Sequence, residues 1–266
     1  MTGAERIVEA FARARAEGRR AALMPYLMGG FPDLAASAQI ARAYAENGAD
    51  LVELGIPFSD PLADGPVIHA AATGALAAGA TVEAVLQVGS TIAEQVPVVA
   101  MCYANPICAR GPERFADALV AASISGLIVP DLPLEEATGL RAVCDERGIA
   151  LVPLAAPTTP EARLAEIGAS ARGFLYVVSL VGTTGERSSL GEQVPGLLAR
   201  AAAHTDVPVA LGFGIGTPEQ AVAAAAAGAA GVIIASRLVR AAGAEADPAH
   251  AAGDLVRAFA AALDEH

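Results

Sequence analysis

Eight short apolar runs recur along the chain with helical stretches between them, and this alternation limits the fold more than any other feature. The runs predict strands near residues 21–28, 50–54, 97–102, 126–129, 149–153, 173–178, 207–211 and 230–234. Segments such as Gly126-Leu-Ile-Val129 and Gly231-Val-Ile-Ile234 are apolar without alternation, as expected of strands buried on both faces of a parallel sheet. The stretches between them, among them 33–47, 133–147 and 217–227, open on a cap-type residue or proline, and several close at Gly48, Gly148 or Gly228. Glycine just past a helix takes the left-handed backbone that turns the chain back into the sheet. The repeating unit is therefore βα. Eight such units in 266 residues suit one α/β domain over 1–266, a single (β/α)8 TIM barrel, better than an open doubly wound sheet. Charged residues interleaved with apolar ones over 1–20 predict an extra N-terminal helix, and a short helix is expected at Ser236, after strand 8.

Composition narrows what such a barrel does. The longest apolar run, Ala221 to Ala235, is rich in Ala and Gly and too short to span a bilayer, and the charged N-terminal segment has no secretory core, so a cytoplasmic location is expected. A net charge of −12 argues against nucleic acid or an anionic membrane as partner. Cys102, Cys108 and Cys144 are an odd number without metal-site spacing and read as reduced thiols. All 17 basic residues are Arg, so no lysine can form a Schiff base with a substrate or with pyridoxal phosphate. His69, His204, His250 and His266 are isolated from one another, which disfavours a metal site. Acid–base catalysis by carboxylates remains.

Glu53 interrupts the apolar strand Asp50-Leu-Val-Glu-Leu-Gly55, and a carboxylate near the C-terminal end of a barrel strand faces the catalytic mouth. Burial raises its pKa, which suits proton exchange near neutrality; the competing reading is a structural acid paired with an Arg. The following loop carries Asp60 and Asp64, with Pro57, Pro61 and Pro66 stiffening it. Either Asp could be a turn former, but the prolines could also present Asp64 over the Glu53 strand. In the C-terminal half, Gly182-Thr-Thr-Gly185, Gly212-Phe-Gly-Ile-Gly216 and Ala235-Ser236 follow strands 6, 7 and 8, where barrels bind phosphate on backbone N–H groups and a short helix. A dinucleotide reading of the glycine cluster fails, because no acidic residue occurs between Glu219 and Glu245 to hold a ribose. Loops 55–65 and 180–190 are longer than connection alone requires.

Leu51-Val-Glu-Leu-Gly-Ile-Pro-Phe-Ser-Asp-Pro-Leu-Ala-Asp-Gly-Pro66 is similar to the most specific motif of the tryptophan synthase alpha subunits. Pro25-Tyr26, Gly29 to Pro32, Tyr103-Ala-Asn-Pro106, Val129-Pro-Asp-Leu-Pro133, Ala156-Pro-Thr158, Gly182-Thr-Thr-Gly185, Gly212-Phe-Gly-Ile215 and Ser236-Arg-Leu-Val239 resemble the same family in order and spacing. The resemblance implies retro-aldol cleavage of indole-3-glycerol phosphate to indole and glyceraldehyde 3-phosphate, without a cofactor or metal. It gives Glu53 the protons at indole C3 and the C3′ hydroxyl, and Asp64 the indole N–H. It places Tyr26, Tyr103, Leu154 and Tyr176 in the substrate pocket, Thr184 and Phe213 against the substrate, and phosphate on the amides of Gly185, Gly214, Ala235 and Ser236. It implies a pyridoxal-phosphate-dependent beta subunit as partner in an alpha2-beta2 tetramer, facing Asp60, Asn105 and Pro106.

Four positions depart from the family pattern. Ala235 stands where Gly is usual, Leu180 and Val181 occupy a loop segment that is often more polar, and Met28 replaces a common hydroxyl residue. Ala235 keeps an N–H for phosphate provided its φ is negative. Competing readings are a phosphate-binding barrel isomerase of amino-acid biosynthesis and a catalytically silent barrel that activates a partner; the latter has no need of both Glu53 and Asp64.

Overall fold

The computed structural model describes residues 1–178, 193–212 and 214–264. The first half runs α1 (Gly3–Ala16), β1 (Ala22–Met28), α2 (Leu34–Glu46), β2 (Val52–Gly55), α3 (Pro66–Ala77), α4 (Val82–Ser90), β3 (Val98–Met101), α5 (Ala104–Arg110), α6 (Pro112–Ala121) and β4 (Gly126–Ile128). There follow α7 (Thr138–Glu146), β5 (Ala150–Val152), β6 (Leu154–Ala155), α8 (Glu161–Ser170) and β7 (Leu175–Val178). The last part holds α9 (Val194–Ala202), β8 (Val209–Gly212), α10 (Pro218–Ala226), β9 (Gly231–Ile234), α11 (Ser236–Ala244) and α12 (Pro248–Leu263).

All strand pairings are parallel, in the order β5-β4-β3-β2-β1-β9-β8-β7-β6. The two end strands, β5 and β6, are separated only by Pro153, so the sheet returns on itself and forms a barrel. Among the described residues nine strand segments stand where eight strands are expected, and Pro153 is the reason. It has no N–H to donate into the ladder, while its carbonyl still accepts from the Tyr176 N–H at 3.1 Å. The break coincides with a change of neighbour, since β5 pairs with β4 and β6 with β7.

The helix ends expected at glycines form as the sequence implies. Gly48, Gly148 and Gly228 have φ of +101°, +69° and +105°. In each case the N–H one residue on reaches back into the last turn: Ala49 to Tyr44, Ile149 to Cys144 and Ala229 to Ala224. The helix expected over 133–147 starts late, at Thr138. Pro130 and Pro133 hold the preceding backbone extended or turned, and no side chain caps its N-terminus.

Two buried apolar clusters divide the core. One lies between barrel and helices and includes Leu23, Val52, Leu54, Leu127 and Leu175. The other fills the barrel interior, with Met24, Val99, Ile128, Val152, Phe174 and Ile233, and is joined by Ile7, Ala10, Phe11 and Ala14 of α1. The N-terminal helix thus plugs one end of the barrel and leaves the other end, at the strand C-termini, for a site.

Candidate active site

On β2, Val52 and Leu54 face the outer helices, so alternation turns Glu53 into the barrel. Glu53 is 1% exposed, in register with Tyr26 on one side and Val99 on the other. Its Oε2 has no hydrogen-bond partner among the described residues. The structural role considered for Glu53 falls instead to Asp50, the other acid of Asp50-Leu-Val-Glu53. Asp50 accepts from the Leu23 N–H at 2.8 Å and pairs with Arg19 at 2.7 Å, with little solvent on either side chain. One acid is satisfied at the closed end, and the other is left unpaired toward the open end.

Burial first, and the charge of Asp64 second, push the Glu53 carboxyl up to about 8. Burial also raises Asp64, to about 6, although a hydrogen bond from Tyr103 and the nearby His69 oppose the rise. Near neutral pH this leaves Glu53 mostly protonated and Asp64 mostly ionised. The same two environments thus make a proton donor and a hydrogen-bond acceptor from similar carboxylic acids.

Tyr103, just after β3, fixes the loop that carries Asp64. Its hydroxyl accepts the Ala63 N–H at 3.0 Å and donates to Asp64, and its ring lies 5.5 Å from that of Phe58, centroid to centroid. Tyr26 and Tyr176 are buried, and both feel the charges of Glu53 and Asp64. Five side chains, Glu53, Asp64, Tyr26, Tyr103 and Tyr176, therefore meet at the barrel mouth. Leu154 joins them through its register with Tyr176.

Gly55 and Gly212, at the ends of β2 and β8, make room for two of these rings. A Cβ on Gly55 would lie 2.0 Å from the Tyr26 hydroxyl, and one on Gly212 would lie 2.3 Å from that of Tyr176. Sequence reading assigns neither glycine this role. The available signal is glycine at the end of an apolar strand, which marks a close approach.

The expected anion site is described in part. Gly214 has φ +81°, and Ala235, at φ −116°, satisfies the condition under which it replaces Gly. The first backbone donors to close within α11 are Leu238 and Val239, both to the Ala235 carbonyl, which leaves the N–H groups of Ser236 and Arg237 outside the helical ladder. Thr184, Gly185, Phe213 and the 180–190 loop, with Leu180 and Val181, lie outside the described residues. Asp60 is exposed and accepts from the Ser59 hydroxyl, and Asn105 and Pro106 lie on α5. Met28 is buried with its sulfur 4.0 Å from the Tyr26 hydroxyl, and nothing further explains it. Among the described residues no three His, Cys, Asp or Glu side chains converge as a metal site.

The family model described as tryptophan synthase alpha chain matches residues 11–265. The chain belongs to the tryptophan synthase alpha chain family. A tryptophan synthase alpha chain from Prochlorococcus marinus is 49% identical over 232 residues, covering 86% of this chain and 84% of that one. Another, from Methanosarcina mazei, is 45% identical over 235 residues, with 88% and 86% covered. Among solved structures, a chain of Mycobacterium tuberculosis tryptophan synthase superposes with TM-score 0.90 at 37% identity, covering 98% of this chain and 99% of its own length. A chain from a study of the tryptophan synthase a2b2 complex of Pyrococcus furiosus gives TM-score 0.84 at 36% identity, with 90% and 97% covered. Membership of the tryptophan synthase alpha chain family settles the competition with a barrel isomerase, and the TIM-barrel fold read from the sequence stands.

Proposed function

We propose that this chain cleaves indole-3-glycerol phosphate into indole and glyceraldehyde 3-phosphate, the alpha reaction of tryptophan biosynthesis, with Glu53 and Asp64 as its catalytic pair. One observation carries the assignment of roles. Glu53 is buried with an unpartnered oxygen beside Asp64, and the two carboxyls are raised to different extents. The indole ring occupies the mouth between Tyr26, Tyr103, Leu154 and Tyr176. Protonated Glu53 delivers its proton to indole C3, and ionised Asp64 accepts the indole N–H and stabilises the positive charge that spreads onto nitrogen. Glu53, now a carboxylate, takes the proton from the C3′ hydroxyl. The C3–C3′ bond then breaks, its electron pair restores the aromatic ring, and the C3′ oxygen becomes the aldehyde. Protonation makes the ring its own electron sink, so the cleavage needs no lysine, metal or cofactor.

Phosphate is held by the amides of Gly185, Gly214, Ala235 and Ser236, with Thr184 and Phe213 against the substrate. The N-terminus of α11 and the negative φ of Ala235 support this reading. The whole chain, 1–266, acts as one barrel domain in the cytoplasm; no single helix among the described residues is long and apolar enough to cross a membrane. Its partner is a pyridoxal-phosphate-dependent beta subunit in an alpha2-beta2 tetramer. The face for that partner carries Asp60, Asn105 and Pro106, and Leu62, 86% exposed between the two loop aspartates, adds an apolar contact there. Incubation of the pure chain with indole-3-glycerol phosphate, alone and with a beta subunit, tests the reading. Indole release in either mixture is expected, and none in both overturns it.

A further inference from the structure

The mechanism leaves unused a cleft on the outside of the barrel, between α7 and α8. It is a cavity of about 320 Å³, floored by Val129, just past β4, and by Leu151 of β5, and walled by Leu134 and Ile167. That volume is at the lower end of those that hold small organic molecules. Arg141 of α7 enters this lining, which is apolar apart from Arg163 and from Asp131 at the rim, whose carboxylate accepts the Ala104 N–H at 2.9 Å. Its Nε is buried without an acceptor, and among the described residues no carboxylate lies within ion-pair distance of it. Arg163 of α8, the other arginine at the cleft, is already engaged by Glu135 and Glu166.

A buried donor with no acceptor is destabilising, and a guanidinium in apolar surroundings gains most from a planar acceptor with two oxygens. We propose that this cleft binds a small organic monocarboxylate with a flat apolar body. The carboxylate pairs with the guanidinium of Arg141, and the body lies against Val129, Leu134, Leu151 and Ile167. Inorganic phosphate fits less well, because its remaining oxygens would be buried without donors. Leu154 also lines the cavity and pairs in register with Tyr176 of the barrel mouth, so a bound molecule is one strand away from the catalytic groups. The proposal does not depend on which reaction occurs at that mouth.

Titration of methyl-labelled protein with 2-naphthoate, followed by carbon–proton NMR, tests it. Saturable movement of the Ile167 methyls is expected, with binding at least about tenfold weaker for 2-naphthylmethanol, for inorganic phosphate and for the Arg141→Gln variant. Ile167→Phe fills the cavity while keeping Arg141, and should abolish the response of the Leu134 methyls, which keeps the test decisive if Arg141→Gln fails to fold. The proposal is overturned if Ile167 does not move, if shifts are confined to mouth residues such as Ile56, if the alcohol binds as tightly as the acid, or if the folded variants bind like wild type.

Discussion

Replacing Glu53 with Gln should stabilise the fold increasingly as pH rises, because this carboxylic acid is buried at the expense of stability. The sign follows from the raised pKa. Between about 4.5, the ordinary value, and about 8, its value here, the folded chain holds a proton that the unfolded chain has lost. Wild-type stability attributable to Glu53 is therefore fully present below that window, falls across it, and is flat above it. At about 1.4 kcal/mol per pH unit the window sets a ceiling of about 5 kcal/mol, which relaxation of the site and water entry reduce. A glutamine side chain at this position has a similar shape and does not titrate. Urea unfolding followed by far-ultraviolet circular dichroism suits a chain without Trp. The stability difference between Glu53→Gln and wild type should widen by at least about 2 kcal/mol between pH 5 and pH 8.5. Adding Asp64→Asn to the wild type should shrink the window from its upper end, since the Asp64 charge is the second cause of the rise. Stability curves that run parallel from pH 5 to 9 would refute the reasoning.

Other expectations follow from the same geometry. The pH profile of kcat/KM for indole release should be a bell, rising near 6 as Asp64 ionises and falling near 8 as Glu53 loses its proton; a profile flat from pH 5 to 9 contradicts the assignment. Gly55→Ala should destabilise by about 1–3 kcal/mol and lower turnover, because the new methyl overlaps the Tyr26 ring. Adding Tyr26→Phe should restore part of that loss, and a strictly additive double variant would show that the two positions do not meet. Arg19→Ala should cost about 3 kcal/mol in urea unfolding by stranding Asp50, while kcat of the folded fraction stays near wild type; a large drop in kcat would give Asp50 a part in catalysis.

Much of the frame can be read from residues close together in sequence. Glycine past a helix and an apolar run after it are local signals, so the strands near 50–54 and 230–234 appear at Val52–Gly55 and Gly231–Ile234. Glu53 stands out for the same reason, as an acid in an apolar strand. Long-range packing is less legible. The strand expected over 149–153 stops at Val152, and a further segment, Leu154–Ala155, follows Pro153 and pairs with a different neighbour. Whether Asp64 is a turn former or a site residue depends on Tyr103, whose hydroxyl pins Ala63 from 40 residues away. That Asp50 is the paired acid and Glu53 the unpaired one depends on Arg19, which reaches Asp50 across 31 positions. Gly55 and Gly212 acquire their roles only once the tyrosine hydroxyls lie over them.

The central claim is that Glu53 moves the protons of the cleavage. Its most direct test is the steady-state rate of indole release from saturating indole-3-glycerol phosphate at pH 7, comparing wild type with Glu53→Gln after circular dichroism shows both folded. The account predicts a fall of at least about 100-fold, as for loss of a general acid–base group. Turnover within a few-fold of wild type would contradict it.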